Sequence, residues 1–229
     1  MVGSCQPNEG VSPTSAAGAG ASKEAAEGRG DGRRLRAARN RDSVVDAVLG
    51  IVREQESGRL PGAAEVALRA GVSERTVFRH FADLDSLFLA AAGKQRPVLE
   101  AYLGPRPDAK ELDKRVAAVA KLRAKLYEEI APLRRVAVRL AQGHQSLADQ
   151  IAEADGAGRV QLAQVFSPEL RRAGRAKATL LDELELVTSW ASWEQLRGPL
   201  GTSPDRARKI LVDLMTTILS PHASGRRGK

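Results

Sequence analysis

The chain has 229 residues, with 36 lysines and arginines against 28 acidic residues, a formal net charge of +8 and one cysteine. That length can bury a core unaided, and Cys5 alone excludes a disulfide framework and suits a reducing cytoplasm. No apolar run approaches the ~20 residues of a membrane span, Pro7, Glu9 and Pro13 stand where a secretory signal would be apolar, and the basic balance favours polyanions such as nucleic acid.

Residues 1–32 are rich in Gly, Ala, Ser, Pro and Glu. They hold too little apolar surface to offset the entropy of ordering, so they are expected to lack fixed structure. Arg33, Arg34, Arg36, Arg39 and Arg41 follow as a basic run with no acid before Asp42. Taken alone, this run suits a solvated tail as well as a polyanion contact. Residues 1–38 are therefore read as a disordered basic arm.

From Arg41 the pattern turns helical. Val44, Val45, Val48, Leu49, Ile51 and Val52 share one broad face at a 3.6-residue period, and Gly58 is a stop signal. Pro61 suits the first turn of a second helix over Ala63–Ala70. Gly71 follows, Ser73 can cap a third helix, and Asp83 can cap a fourth that carries Leu84, Leu87, Phe88 and Ala91. Pro97 and the Gly-Pro-Arg-Pro stretch at 104–107 mark a break, which places a domain boundary between Gly93 and Asp108. Beyond it the spacing predicts helical blocks at Asp108–Ile130, Pro132–Gln142, Ser146–Phe166, Arg175–Leu196 and Pro204–Leu219. Gly143, Gly174, Gly198, Gly201 and Pro221 punctuate them. Pro132 and Pro168 open or kink helices, and Gly156 and Gly158 are candidate interruptions. The fold class is all-α: a three-helix helix-turn-helix domain over 39–95, then a second helical domain over 108–222.

The informative stretch is Pro61 to Phe81, PGAAEVALRAGVSERTVFRHF. Two helices crossing through a short turn need a small residue at the crossing, which Ala67 supplies. The turn needs a positive φ, which Gly71 permits without steric cost. Val72 can plug the turn from inside. Val77 and Phe81, four apart, share an inward face. Glu74, Arg75, Thr76 and Arg79 then point the other way. This is the chemistry of a helix that enters the DNA major groove with its N-terminal residues at base edges.

The string resembles the signature of the TetR family, in which an AGVS turn leads into a helix ending Tyr-x-His-Phe. Here that end reads Phe78-Arg79-His80-Phe81. The resemblance covers roughly Arg39 to Ala92, and the stretch from Trp190 to Leu219 is similar to the family's last two helices. It implies that Ser73, Glu74, Arg75 and Thr76 face bases or nearby phosphates. Arg75 is the main base reader, since arginine can donate twice to guanine. Phe78, Arg79 and His80 would approach the DNA backbone. The start of the fourth helix, near Asp83, would offer N–H groups to a phosphate. Arg39 and Arg41 would touch the flanking backbone or minor groove. Phe78 replaces the usual tyrosine, and Leu84 stands where relatives often carry lysine, so two phosphate contacts are missing.

The resemblance further implies a homodimer in the bacterial cytoplasm, bound to a near-palindromic double-stranded operator in the nucleoid. The last helices would pair through Val187, Trp190, Ala191 and Leu214. Trp190 and Trp193 suit either such an interface or a ligand cavity. A small-molecule effector of unidentified chemistry would be enclosed by helices from Asp108 to Leu196 and would release a repressor from DNA. Arg134, Arg135, Arg139 and His144 are expected to face solvent rather than that cavity, His144 and His222 to be surface residues, and Asp182, Glu183 and Glu185 to be a solvated face. No cofactor, metal cluster, membrane helix or catalytic motif is expected. The charge alone would equally serve a protein that compacts DNA without regard to sequence.

Overall fold

The computed structural model describes residues 18–55, 59–104 and 106–223, and every regular element among them is helical. Residues 1–43 and Val44–Lys229 are separate units. In the first, the described part is the N-terminal portion of helix α1, Gly18–Glu54. The arm read from sequence as lacking structure is thus helical from Gly18 onward. Its reason is local: no proline interrupts Gly18–Glu54, and alanine, arginine and glutamate lose little freedom in a helix. Residues 34–39 of this helix are all exposed. Residues 1–17, Cys5 among them, and Gly58 and Pro105 lie outside the described residues.

The second unit begins with the apolar end of α1. Val44, Val48 and Val52 are almost fully buried. Around them pack α2, Ala63–Ala70, α3, Glu74–His80, and α4, Leu84–Gly93. Val66, Ala67, Val77, Phe81, Leu87 and Phe88 complete this core. Burying each large side chain contributes roughly 1.5–3 kcal/mol. Leu133 and Val136 enter the same cluster from α6, Leu112–Leu140, so the small helices rest on the long one. A bidentate pair ties α1 to α2: Arg69 Nη1 and Nη2 donate to the two Glu54 carboxylate oxygens at 2.7 and 2.5 Å. The Glu54 carboxyl is held below its usual range by that hydrogen bond.

The remaining helices are α5, Arg96–Leu103, α7, Gln145–Val165, α8, Ser167–Arg172, α9, Lys177–Val187, α10, Trp190–Arg197, and α11, Pro204–Leu219. α6 is the axis of this body, and α5, α7, α10 and α11 all pack on it. Several sequence expectations change here. Pro132 lies inside α6 rather than opening a new helix. The missing N–H removes one helical bond, and burial of Ile130, Ala131, Leu133 and Val136 on both sides of it holds the helix continuous. Gly156 and Gly158 lie within an uninterrupted α7. The block Arg175–Leu196 is instead two helices, because Ser189 caps α10 by accepting from the Ser192 N–H at 3.2 Å. The stretch read as a break after Gly93 holds α5, with its proline in the first turn, where proline is tolerated. Pro168 likewise stands at the start of α8.

A buried ion pair crosses the base of the body. Arg115 Nη2 donates to Glu169 Oε1 at 2.8 Å, and Arg115 Nη1 to the Val165 carbonyl at 3.0 Å. Both side chains are under a tenth exposed, and the guanidinium lies 5.9 Å from the Phe166 ring centre.

Candidate nucleic-acid interface

The turn between α2 and α3 is set by three local interactions. Gly71 adopts φ 66° and ψ 32°, a left-handed conformation in which a side chain would be strained. The Val72 N–H then donates to the Ala67 carbonyl at 3.0 Å, closing the end of α2. Ser73 caps α3 with its Oγ, which accepts from the Thr76 N–H at 3.2 Å and lies 3.0 Å from the Thr76 hydroxyl. One face of α3 is fastened inward by Val77, with Phe81 just beyond it, 1% and 4% exposed.

The other face is open. Ser73, Glu74, Arg75, Phe78 and Arg79 are exposed, and Thr76 and His80 are half-buried. Phe78 at 48% exposure is an aromatic ring the core does not claim. The structure thus brings together on α3 and its cap seven of the residues singled out in the sequence. Asp83 differs. Its carboxylate accepts from the Ser86 N–H at 2.7 Å, while the Ser86 hydroxyl lies 3.4 Å from the Asp83 N–H in a reciprocal cap. That backbone hydrogen bond holds the Asp83 carboxyl below its usual range. An anion approaching α4 therefore meets an end already capped by a carboxylate. Leu84 is partly buried against the core. Arg39 and Arg41 are exposed on α1 in the first unit.

The body holds a cavity of about 590 Å³ lined by α5, α6 and α7 and the end of α4, with Leu99, Leu103, Ile130, Leu133 and Ile151 among its walls. A smaller hollow of about 100 Å³ shares Leu99, Leu103, Ile130, Arg134 and Ala154 with it. Contrary to the solvent-facing expectation, Arg134 is 9% exposed and lines both. Its Nη2 donates to the Asp155 carboxylate at 2.8 Å. Arg135 instead pairs with Glu194 at 2.8 Å, and His144 Nε2 lies 2.9 Å from Asp85. Arg139 is exposed. Asp182 and Glu185 both pair with Arg159, so the acidic face is engaged rather than simply solvated. α5, a wall of this cavity, was missed in the sequence. Pro97 followed by Val98, Leu99, Tyr102 and Leu103 at helical spacing was its signal.

Of the residues expected at a subunit interface, Ala191 and Leu214 are exposed and Val187 is half-buried. Trp190 and Trp193 turn inward instead. Trp190 is 9% exposed and meets Tyr127 edge-on, with ring centres 5.7 Å apart. Trp193 Nε1 donates to Glu128 at 3.0 Å. On α11, Ala207, Leu211, Met215 and Leu219 face the core. Ile210, Leu214 and Ile218, a second row at four-residue spacing, are only partly covered.

A short capped helix with an open polar face, set on a helical body with a cavity, defines an all-α helix-turn-helix protein. Its fold is that of TetR-type regulators. One solved structure that it resembles is a candidate TetR-family transcriptional regulator of Mesorhizobium loti, at TM-score 0.59 and 18% identity over 81% of this chain and 98% of the other. A second is the multidrug binding protein EbrR in complex with imidazole, at TM-score 0.50 and 20% identity over 76% and 88%. A third is a candidate transcriptional regulator of Pseudomonas aeruginosa, at TM-score 0.50 and 17% identity over 81% and 93%. No protein-family profile and no curated protein matches the chain.

Proposed function

We propose that this protein is a sequence-specific DNA-binding regulator of transcription, acting as a homodimer and repressing until a small-molecule effector releases it. The observation that carries this reading is α3 itself. Its turn is locked by Gly71, its start is capped by Ser73, its inner face is buried through Val77, and Arg75, Phe78 and Arg79 are left outward. A rigid helix with a free N-terminal polar face is what entry into a major groove requires. Arg75 reads a guanine edge, and Ser73, Thr76, Arg79 and His80 position the helix on the backbone. The basic run through Arg39 and Arg41 adds sequence-independent attraction.

The dimer reading rests on the partly covered row Ile210, Leu214 and Ile218 and on exposed Ala191 of α10, the helix that packs against α11. Two such heads about a two-fold axis would read half-sites ~34–36 Å apart. The effector reading rests on the cavity, whose size falls in the range of small-molecule sites. The structural neighbour EbrR is a multidrug binding protein that was crystallised in complex with imidazole, which supports the same reading. The net charge of +8 favours one alternative, a protein that compacts DNA of any sequence.

The test is selection of short duplexes from a random library, followed by fluorescence anisotropy at low and moderate salt. A near-palindromic site is expected, with Arg75→Ala losing about 1–3 kcal/mol of discrimination at one base position per half-site. Binding without sequence choice, abolished by salt, would establish the compacting alternative. Selection of a single half-site by a monomer would overturn the dimer, and an unchanged salt slope after deletion of residues 1–38 would remove the arm from the interface.

A further inference from the structure

The smaller hollow contains a buried arginine whose hydrogen-bonding capacity is not filled. Arg123 is 2% exposed. Its Nη2 donates to the Gly158 carbonyl at 3.0 Å, and its Nη1 is buried with no hydrogen-bond partner. The acids that line the same hollow are already engaged: Asp155 by Arg134, and Glu185 by Arg159. Thr188 and Tyr127 are also spoken for, since the Tyr127 hydroxyl donates to the Thr188 carbonyl at 2.8 Å. Among the described residues, no carboxylate pairs with Arg123.

Such an arrangement is costly. Buried guanidinium groups are ordinarily paired, because desolvating an unpaired ion costs several kcal/mol. The site is nonetheless built to hold it. A Cβ on Gly158 would come within 3.2 Å of Arg123 Nη2 and 3.7 Å of Cζ, so the absence of a side chain there lets the guanidinium approach the α7 backbone closely. Beyond the shared walls Leu99, Leu103 and Ile130 lies the larger chamber, which is mostly apolar. A guanidinium with one nitrogen left without a hydrogen-bond partner, next to an apolar space, is complementary to an anion with a greasy body.

We infer that the natural effector is an organic carboxylic acid, its carboxylate received by Arg123 in the smaller hollow and its apolar body in the larger chamber. This rests on reading the cavity as the effector site. Arginine suits the role because its planar fork matches a carboxylate and stays charged. Arg134, held by Asp155, lines both spaces. It is a positioning residue there rather than the receiving group.

The experiment is isothermal titration of the full chain with octanoate, decanoate and dodecanoate, with the matching alcohols, and with decyltrimethylammonium. The carboxylates are expected to bind more tightly than the alcohols, and the ammonium compound not to bind. Arg123→Met should weaken carboxylate binding roughly ten- to a hundredfold, the factor that a charged hydrogen bond carries, and leave alcohol binding unchanged, which also reports an intact cavity. Arg123→Lys should retain part of the preference. Equal binding of acids and alcohols, or an Arg123→Met variant that binds the acids as the parent does, would overturn the carboxylate assignment while leaving an apolar effector site standing. Failure of every carboxylate to bind would overturn it as well. Carboxylate binding that depends on Arg123 but leaves affinity for the selected DNA site unchanged would uphold the subsite and overturn the effector reading beneath it.

Discussion

The helix-turn-helix region and the helical body solve the problem of polar groups in opposite ways. Around α2, α3 and α4 the groups that set the turn and the helix starts work at the surface and over short range. Ser73 bonds three residues ahead, Asp83 bonds three residues ahead, and Gly71 turns the chain where it stands. In the body a set of polar groups is buried and works over long range. Arg115 meets Glu169 across 54 positions, Arg123 meets Gly158 across 35, and Tyr127 meets Thr188 across 61. The lesson is about what each region has to do. A reading head must present the same rigid face to every DNA site, so local rules that hold whatever the rest of the molecule does are enough. A body with the proposed task of enclosing a ligand must place charge inside an apolar interior, and only distant segments folded together can do that.

If this contrast is right, disturbing the body's buried charges should cost far more than disturbing the head's caps. The largest effect is expected from Glu169→Ala, which leaves Arg115 buried without its acid. A loss of about 3–5 kcal/mol is expected, read as a lower denaturation midpoint in urea. A loss below about 1 kcal/mol, the range of exposed pairs, would show that the pair behaves as a surface pair and would erase the contrast.

Ser73→Ala should cost about 1 kcal/mol, the usual worth of an N-terminal cap. Because the cap orients α3, its larger signature should be in DNA affinity rather than in the melting temperature. Equal proportional losses in both would mean that the cap only stabilises the fold.

The smallest effect concerns Tyr127. Burial pushes its hydroxyl up to about 12, above the unfolded value of ~10. A group that holds its proton more tightly when folded stabilises fully below the unfolded value, and that contribution is lost as pH rises through ~10 towards the folded value. Tyr127→Phe should therefore flatten the fall in stability above pH ~10, while losing about 1 kcal/mol at neutral pH with the bond to Thr188. Denaturant titrations at neutral and alkaline pH check this, and an unchanged alkaline slope would place the proton loss elsewhere.

How much was legible in the chain follows the same divide. The left-handed Gly71, the cap at Ser73, the inward Val77 and Phe81 and the capped start of α4 at Asp83 could all be read from a few neighbouring residues. α5 was lost because a proline in a first turn and a proline in a loop look alike locally. Pro132 was over-read for the related reason that flanking burial, invisible in sequence, holds a helix through it. Trp190, which the sequence suits to a subunit interface or a cavity, packs inward on Tyr127, because helical spacing says which residues share a face and not what that face meets. Arg123 carried a faint signal: it falls on the apolar stripe of Val116, Val119, Ala120, Tyr127 and Ile130, where a solvated arginine has no place.

By itself, then, the sequence determined the all-helical class, the helix-turn-helix geometry and the face that α3 presents, since backbone conformation and capping depend on residues within one turn of each other. Only the tertiary structure decided which arginines are buried, where the cavity lies and which apolar rows remain uncovered. Burial is a property of what packs on a residue from elsewhere in the chain, and a local pattern does not contain it.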